Sequence, residues 1–168
     1  MRLLEVISFK IYSIHKDDTL LDTINMVGPT KTYRIEEIPK EEVTLRDSET
    51  LIPVAHFHKE VYSTFGVPFL LKIKQGEKFS TVKDRIQKKL EVPDKDFEKY
   101  KFAIVVMGRV EYISDEDNDM QVELSIFKPH PMQGASMQAR PWLGLDHVNK
   151  TPKRSKVPYS EKAIKIHN

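Results

Sequence analysis

The sequence predicts an α+β fold in which one amphipathic helix crosses a mixed sheet. Three observations carry this. Val82, Ile86 and Leu90 recur every four residues and line one helix face, while Lys83, Asp84, Arg85, Gln87, Lys88 and Lys89 cover the other. Phe102 to Met107 is a nearly continuous apolar run of strand length, the pattern of a strand buried on both faces. Pro68 to Ile73 is equally apolar and is bounded by turn residues at Gly66 and Gln75-Gly76-Glu77.

The elements follow in chain order. Leu3 to Ile14 is rich in Val, Ile, Phe and Tyr and predicts a strand, or two strands with a bend. His15 to Thr19 is a polar turn, Leu20, Leu21 and Ile24 form a short apolar patch, and Gly28-Pro29-Thr30 is a second turn. Lys31 to Ile38 alternates as a strand that Pro39 stops, and the charged stretch Lys40 to Thr50 reads as a linker. Leu51 to Val61 predicts a strand, Ser63 to Gly66 a turn, and Pro68 to Ile73 the returning strand of a β-hairpin. Ser80 or Thr81 is placed to cap the helix, which Pro93 ends near Leu90. Lys101 to Ile113 is the strongest strand segment, Ser114 to Asp119 an acidic turn, and Val122, Leu124 and Ile126 alternate as a further strand. Pro129 to Ala139, rich in Pro, Met, Gln and Gly, reads as a surface loop. In the apolar return Pro141 to Leu145, the lone tryptophan Trp142 is expected as a structural anchor, because indole offers the largest apolar area to bury. Beyond Val148 no packing pattern appears until Ala163-Ile164-Lys165-Ile166.

At 168 residues the chain has room for one or two small domains. It contains no cysteine, which excludes disulfides, a zinc ribbon and a cysteine nucleophile within it. Its first ten residues lack the pattern of a signal peptide, and no apolar stretch approaches the roughly 20 residues that span a bilayer. The expectation is a soluble, intracellular protein. The net charge of +2 is unevenly spread: from Asn149 onward there are six cations and one anion, leaving 21 cations against 24 anions before it. A slightly acidic body thus carries a basic tail, as expected of a segment that meets an acidic partner, is simply solvated, or directs nuclear import.

Catalytic and ligand motifs are sparse. There is no Gly-x-Ser-x-Gly elbow, Gly-rich phosphate loop or His-Glu-x-x-His pair. His56 and His58 flank Phe57 and would share one strand face, a possible start of a metal site, but no third ligand is evident and zinc needs three or four. Asp115 to Asp119 has the alternating acids of a calcium loop, yet Met120 replaces the required Gly and Ile126 the bidentate Glu, so it reads as a hairpin tip. No cofactor and no metal are expected.

Particular stretches resemble known sequences. Thr81 to Lys89, Val92-Pro93-Asp94 and Lys101-Phe102-Ala103 resemble the helix, following turn and third strand of ubiquitin. This implies a ubiquitin-like β-grasp roll. Arg2 to Val6, Lys16 to Leu20 and Thr30 to Ile35 resemble a ubiquitin-like domain from its third strand onward. The implied organisation is a C-terminal half domain over 1–39, a linker over 40–50, a complete domain over 51–148 and an extended basic tail over 149–168. Met1 would then be a boundary within a longer protein or an alternative start. Val54 to Val61, Arg140 to His147 and Glu161 to Asn168 resemble the C-terminal end of ubiquitin-specific proteases of the herpesvirus-associated type; the likeness departs at Ser114 to Ala139.

That resemblance implies a non-catalytic regulatory module of a cysteine-type deubiquitinase, resident in nucleus and cytoplasm. Its tail would dock on the catalytic domain of the parent enzyme and promote the active conformation. Ile164 and Ile166 lie two apart and face one way in an extended chain, with Lys162 and Lys165 beside them for carboxylates on a groove rim. The end His167-Asn168 lacks the Gly-Gly of conjugated modifiers, so an integral domain is expected. Two alternatives stay open: a freestanding adaptor binding proteins through its β-grasp surface, and nucleic-acid binding by the tail. The latter is disfavoured by an acidic body and a tail whose only aromatic is Tyr159. No membrane partner is expected.

Overall fold

The computed structural model describes residues 1–15, 31–116, 120–131 and 138–150, without the side chains of 130, 131, 138 and 139. Two sheets and one principal helix account for most of it. Strands β1 (Arg2–Ile7) and β2 (Lys10–His15) form a hairpin, and β3 (Lys31–Glu36) runs antiparallel along the other edge of β1, giving the order β2-β1-β3. The bend expected within Leu3 to Ile14 is the two-residue turn Ser8-Phe9, both at positive φ (48° and 59°), which matches the twist of the strands it joins.

The linker expected over Lys40 to Thr50 holds a short helix α1 (Lys40–Val43), and its last two residues already belong to β4 (Glu49–His58). A contact the local sequence does not display holds the helix against the sheet. Arg2, 7% exposed, gives Nε to Glu36 at 2.6 Å and Nη1 to Glu42 at 2.7 Å, tying β1, β3 and α1 together.

The larger sheet has the order β5-β4-β10-β6-β7, from β4, β5 (Glu60–Lys74), β6 (Lys101–Val106), β7 (Arg109–Tyr112) and β10 (Trp142–Asp146). All neighbours are antiparallel except β10 and β4. A hairpin, a crossing helix α2 (Phe79–Leu90) and a last strand inserted in parallel beside the first make a ubiquitin-like β-grasp. Val82 and Ile86 are buried on the helix's apolar stripe against Ile52, Val54, Leu71, Ile73, Phe102, Leu143 and Leu145. Helix α2 begins one or two residues before the expected Ser80 or Thr81 cap. The Phe79 N–H is taken by the Met120 carbonyl at 2.8 Å, so a backbone from elsewhere does the work of a capping side chain. Its other end closes on Glu91 in the left-handed conformation (φ 53°), ahead of Pro93. The helix α3 (Asp94–Phe97) follows, and Phe97 and Tyr100 join the core beside Phe102.

Three expectations are corrected here. The turn at Ser63 to Gly66 lies inside β5; the chain reverses earlier, at Lys59 (φ 61°), whose N–H is held by Asp146 Oδ1 at 2.9 Å, while Gly66 (φ 71°) accommodates an irregularity in the strand. Lys101 to Ile113 is two strands, because Met107-Gly108 (φ 51° and 80°) form a tight turn. Val122, Leu124 and Ile126 do not form a sheet strand. Val122 exchanges backbone hydrogen bonds with Gly76 and Glu77, and Leu124 N–H goes to the Gln75 side chain, so the segment closes over the core as a bridge and a 3-10 turn (Leu124–Phe127). Within the expected loop Pro129 to Ala139, β8 (His130–Pro131) and β9 (Gln138–Ala139) pair as a short ribbon.

The smaller sheet packs on the face of the larger one turned away from α2. Leu4 and Ile11 bury Leu70, with Ile14 and Leu51 beside them. Thr64 Oγ1 donates to the Ser8 carbonyl and Arg34 Nη2 to the Pro68 carbonyl, each at 2.7 Å. Of the predicted features, the turns at 16–19 and 28–30, the patch Leu20, Leu21 and Ile24, and the tail from Thr151 lie outside the described residues. No helix among the described residues is long and apolar enough to cross a membrane.

Candidate functional site

The chain leaves the sheet at the end of β10 through a cleft of about 660 Å³ between the β4–β5 hairpin and the segment joining α2 to β6. The position follows from the register. Leu145 lies opposite His56 in the parallel β4–β10 ladder, so Leu143, Leu145 and then His147 project to the α2 side with His56.

His56 Nδ1 and His147 Nε2 lie 2.8 Å apart. His147 Nδ1 faces the Val148 carbonyl at 3.2 Å, which can only accept, so His147 carries its proton on Nδ1 and its Nε2 accepts from His56 Nδ1–H. His147 is therefore neutral in this arrangement. Burial, and then the neighbouring His147, push His56 down to about 4; burial also lowers His147. Aromatic rings hold the pair in place: Tyr100 stacks on His147 at 3.9 Å and 7°, and Phe65 meets its edge at 5.0 Å.

A depressed folded-state value has a defined consequence. The unfolded chain takes up the His56 proton near its ordinary value of about 6.5, the folded chain only near 4. Stability from this group is fully present above about 6.5 and is lost as pH falls through that window, amounting to about 3 kcal/mol at most. Urea titrations at pH 7 and pH 5 should show about 2 kcal/mol of this loss, and His56→Gln should flatten it.

At the neighbouring corner the Asp146 carboxylate accepts from the Lys59 N–H and the Tyr112 hydroxyl, each at 2.9 Å. His58 Nδ1 lies 3.8 Å from Asp146, beyond hydrogen-bonding distance. His56 and His58 thus turn to different partners and do not share a ligand position. Among the described residues no group of three metal-ligating side chains converges. Further along the exit, Lys150 reaches Asp96 at 2.8 Å and holds its carboxyl below the usual range. What the arrangement does physically is fix where, and in which direction, residue 150 leaves the folded body.

The predicted anchor Trp142 is half-buried on the face away from α2, edge-on to Phe57 at 6.2 Å, with Lys10 Nζ 5.8 Å above its ring. The predicted docking residues Lys162, Ile164, Lys165 and Ile166 lie outside the described residues. Sequence reasoning missed His147, Tyr100 and Phe65. Their signal was available only through the parallel pairing of β10 with β4, which sets His147 beside His56.

Comparison with known proteins gives a consistent result. Residues 1–152 match the family described as ubiquitin-specific protease C-terminal. The chain is 44% identical over 176 residues to ubiquitin carboxyl-terminal hydrolase 7 of Drosophila melanogaster, covering 100% of this chain and 15% of that protein. It is 42% identical over 178 residues to ubiquitin C-terminal hydrolase 12 of Arabidopsis thaliana, with the same coverage. With ubiquitin carboxyl-terminal hydrolase 7 of Caenorhabditis elegans it shares 31% identity over 169 residues, 95% of this chain and 14% of the other. The chain spans about 15% of the length of the first two of these relatives.

Proposed function

Because this chain belongs to the ubiquitin-specific protease C-terminal family, we propose that it is a non-catalytic regulatory module of a deubiquitinase, acting through its tail on the catalytic domain of the parent enzyme. The observation that carries the reading is a cysteine-free chain that aligns over its whole length with about 15% of a ubiquitin carboxyl-terminal hydrolase and matches a family described as C-terminal. The exit at His147 to Lys150, where His147 stacks on Tyr100 and Lys150 pairs with Asp96, supports it, since a defined starting point limits where a tethered peptide can reach.

The energetics suit a tethered contact. Burying Ile164 and Ile166 gains roughly 3–6 kcal/mol gross. Ordering the segment costs about 1–2 kcal/mol per backbone residue, so the free peptide binds weakly. Tethering supplies an effective concentration on the order of millimolar, which makes a weak contact useful. If the groove forms only in the active conformation, the tail shifts that equilibrium by its differential affinity. Replacing Ile164 and Ile166 together by Ala in the full-length enzyme should lower turnover roughly tenfold, corresponding to about 1.4 kcal/mol of lost differential affinity. Unchanged turnover would overturn the reading.

We also infer that β1–β3 are the latter half of a second ubiquitin-like domain. The order β2-β1-β3 repeats β7-β6-β10, and the edge of β3 unpaired among the described residues corresponds to the edge of β10 that β4 fills in parallel. A longer chain bearing the preceding strands and helix should slow amide exchange in β3; unchanged exchange would count against completion.

A further inference from the structure

The cleft at the end of β10 has a charge pattern that the tail mechanism does not use. Its acids are mostly committed: Asp96 pairs with Lys150, and Asp146 accepts from the Lys59 N–H and the Tyr112 hydroxyl. Of its cations among the described residues, only Lys150 is ion-paired. Lys59, Lys99 and Lys101 line the same cleft, are exposed, and form no salt bridge among the described residues, Lys99 acting on Asp96 only at longer range. Against these three, Glu91 is the one uncommitted acid on the rim among the described residues.

The floor is of a different character. Phe65, Val92, Pro93 and Tyr100 give it an apolar and aromatic surface. Phe65 and Tyr100 are held against the His147 ring at 5.0 Å and 3.9 Å, so these walls are already ordered before anything binds. A preordered wall lowers the entropic cost of docking. The volume, about 660 Å³, falls within the range that accommodates a ligand or a few peptide side chains.

We propose that this cleft docks an acidic segment of a partner protein, with an apolar side chain laid on the floor of Phe65, Val92 and Pro93 beside the Tyr100–His147 stack and flanking carboxylates meeting Lys99 and Lys101. Charge complementarity selects this occupant. The chain's own tail, with five cations and one anion from Thr151 onward, is mismatched to a rim of unpaired lysines. The inference stands whether or not the tail activates an enzyme.

The test uses the full 168-residue chain and follows the His147 and Tyr100 ring protons by NMR. Three probes of defined composition are titrated: a peptide of about nine residues with a Leu-Phe centre flanked by Asp and Glu, the same centre flanked by Lys, and a peptide of residues 151–168 added in trans. The acidic probe should shift both rings saturably, with an affinity that falls at least tenfold on raising salt to about 0.5 M. Lys99→Glu with Lys101→Glu, both on the exposed rim, should weaken it at least tenfold while leaving the remaining amide spectrum unchanged. Absence of a saturable shift up to about millimolar probe would overturn the proposal. So would equal binding of the Lys-flanked peptide or of residues 151–168, or a shift that survives charge reversal.

Discussion

Arg2→Ala is expected to destabilise the smaller sheet by about 3–5 kcal/mol, far more than the loss of a surface ion pair. Arg2 is 7% exposed and gives one nitrogen to Glu36 and another to Glu42, whose side chain is only 6% exposed. Removing the guanidinium strands the buried Glu42 carboxylate without its counter-charge, while the half-buried Glu36 keeps Arg34 at 3.3 Å, so the cost is mainly that of the stranded Glu42 charge. The double variant Glu42→Gln with Arg2→Met should recover part of the loss, because it removes a charge from each side and keeps the volume. Denaturant unfolding followed by amide exchange localises the effect: β1 to β3 should lose protection first while α2 and β6 keep theirs. A uniform loss across both sheets would mean that they unfold as one unit.

Phe57→Ala is expected to cost about 3–5 kcal/mol, in the range for a buried aromatic truncated to a methyl. Phe57 is fully buried on the sheet face away from α2, edge-on to Trp142. Gly144, diagonal to it on β10, has no side chain for a geometrical reason: a Cβ there would stand 2.6 Å from Phe57 Cε1 and 3.2 Å from Trp142 Cζ3. The pair therefore gives a sign-reversing test. Gly144→Ala alone overpacks the site and should cost about 1–3 kcal/mol. In the Phe57→Ala background the same methyl enters vacated space and should be neutral or stabilising. Additive losses would show that Gly144 is required by its backbone rather than by the ring.

Much of the β-grasp was legible because its signals are local. The spacing of Val82, Ile86 and Leu90 fixed both the helix and the face it buries, and the apolar run Phe102 to Val106 marked a central strand. The missed turn at Met107-Gly108 was local, whereas the other two misreadings share one cause, a distant partner. The hairpin reverses at Lys59 because Asp146 holds its N–H, and Val122 leaves the sheet because Gly76 and Glu77 take its hydrogen bonds. The cleft was illegible for the same reason. His56 was visible as one of two alternating histidines, but its partner His147 comes 91 residues later and is brought beside it only by the parallel insertion of β10. The family resemblance, carried by Arg140 to His147 among other stretches, agrees with the family match over residues 1–152.

The most direct test of the central claim is to mix this chain, at rising concentration, with the separately expressed catalytic domain of the parent enzyme and measure hydrolysis of a fluorogenic ubiquitin substrate. A parallel sample ends at Lys150. The full chain should raise the rate and the truncated one should not. No change in rate with either sample, up to about millimolar concentration, would contradict it.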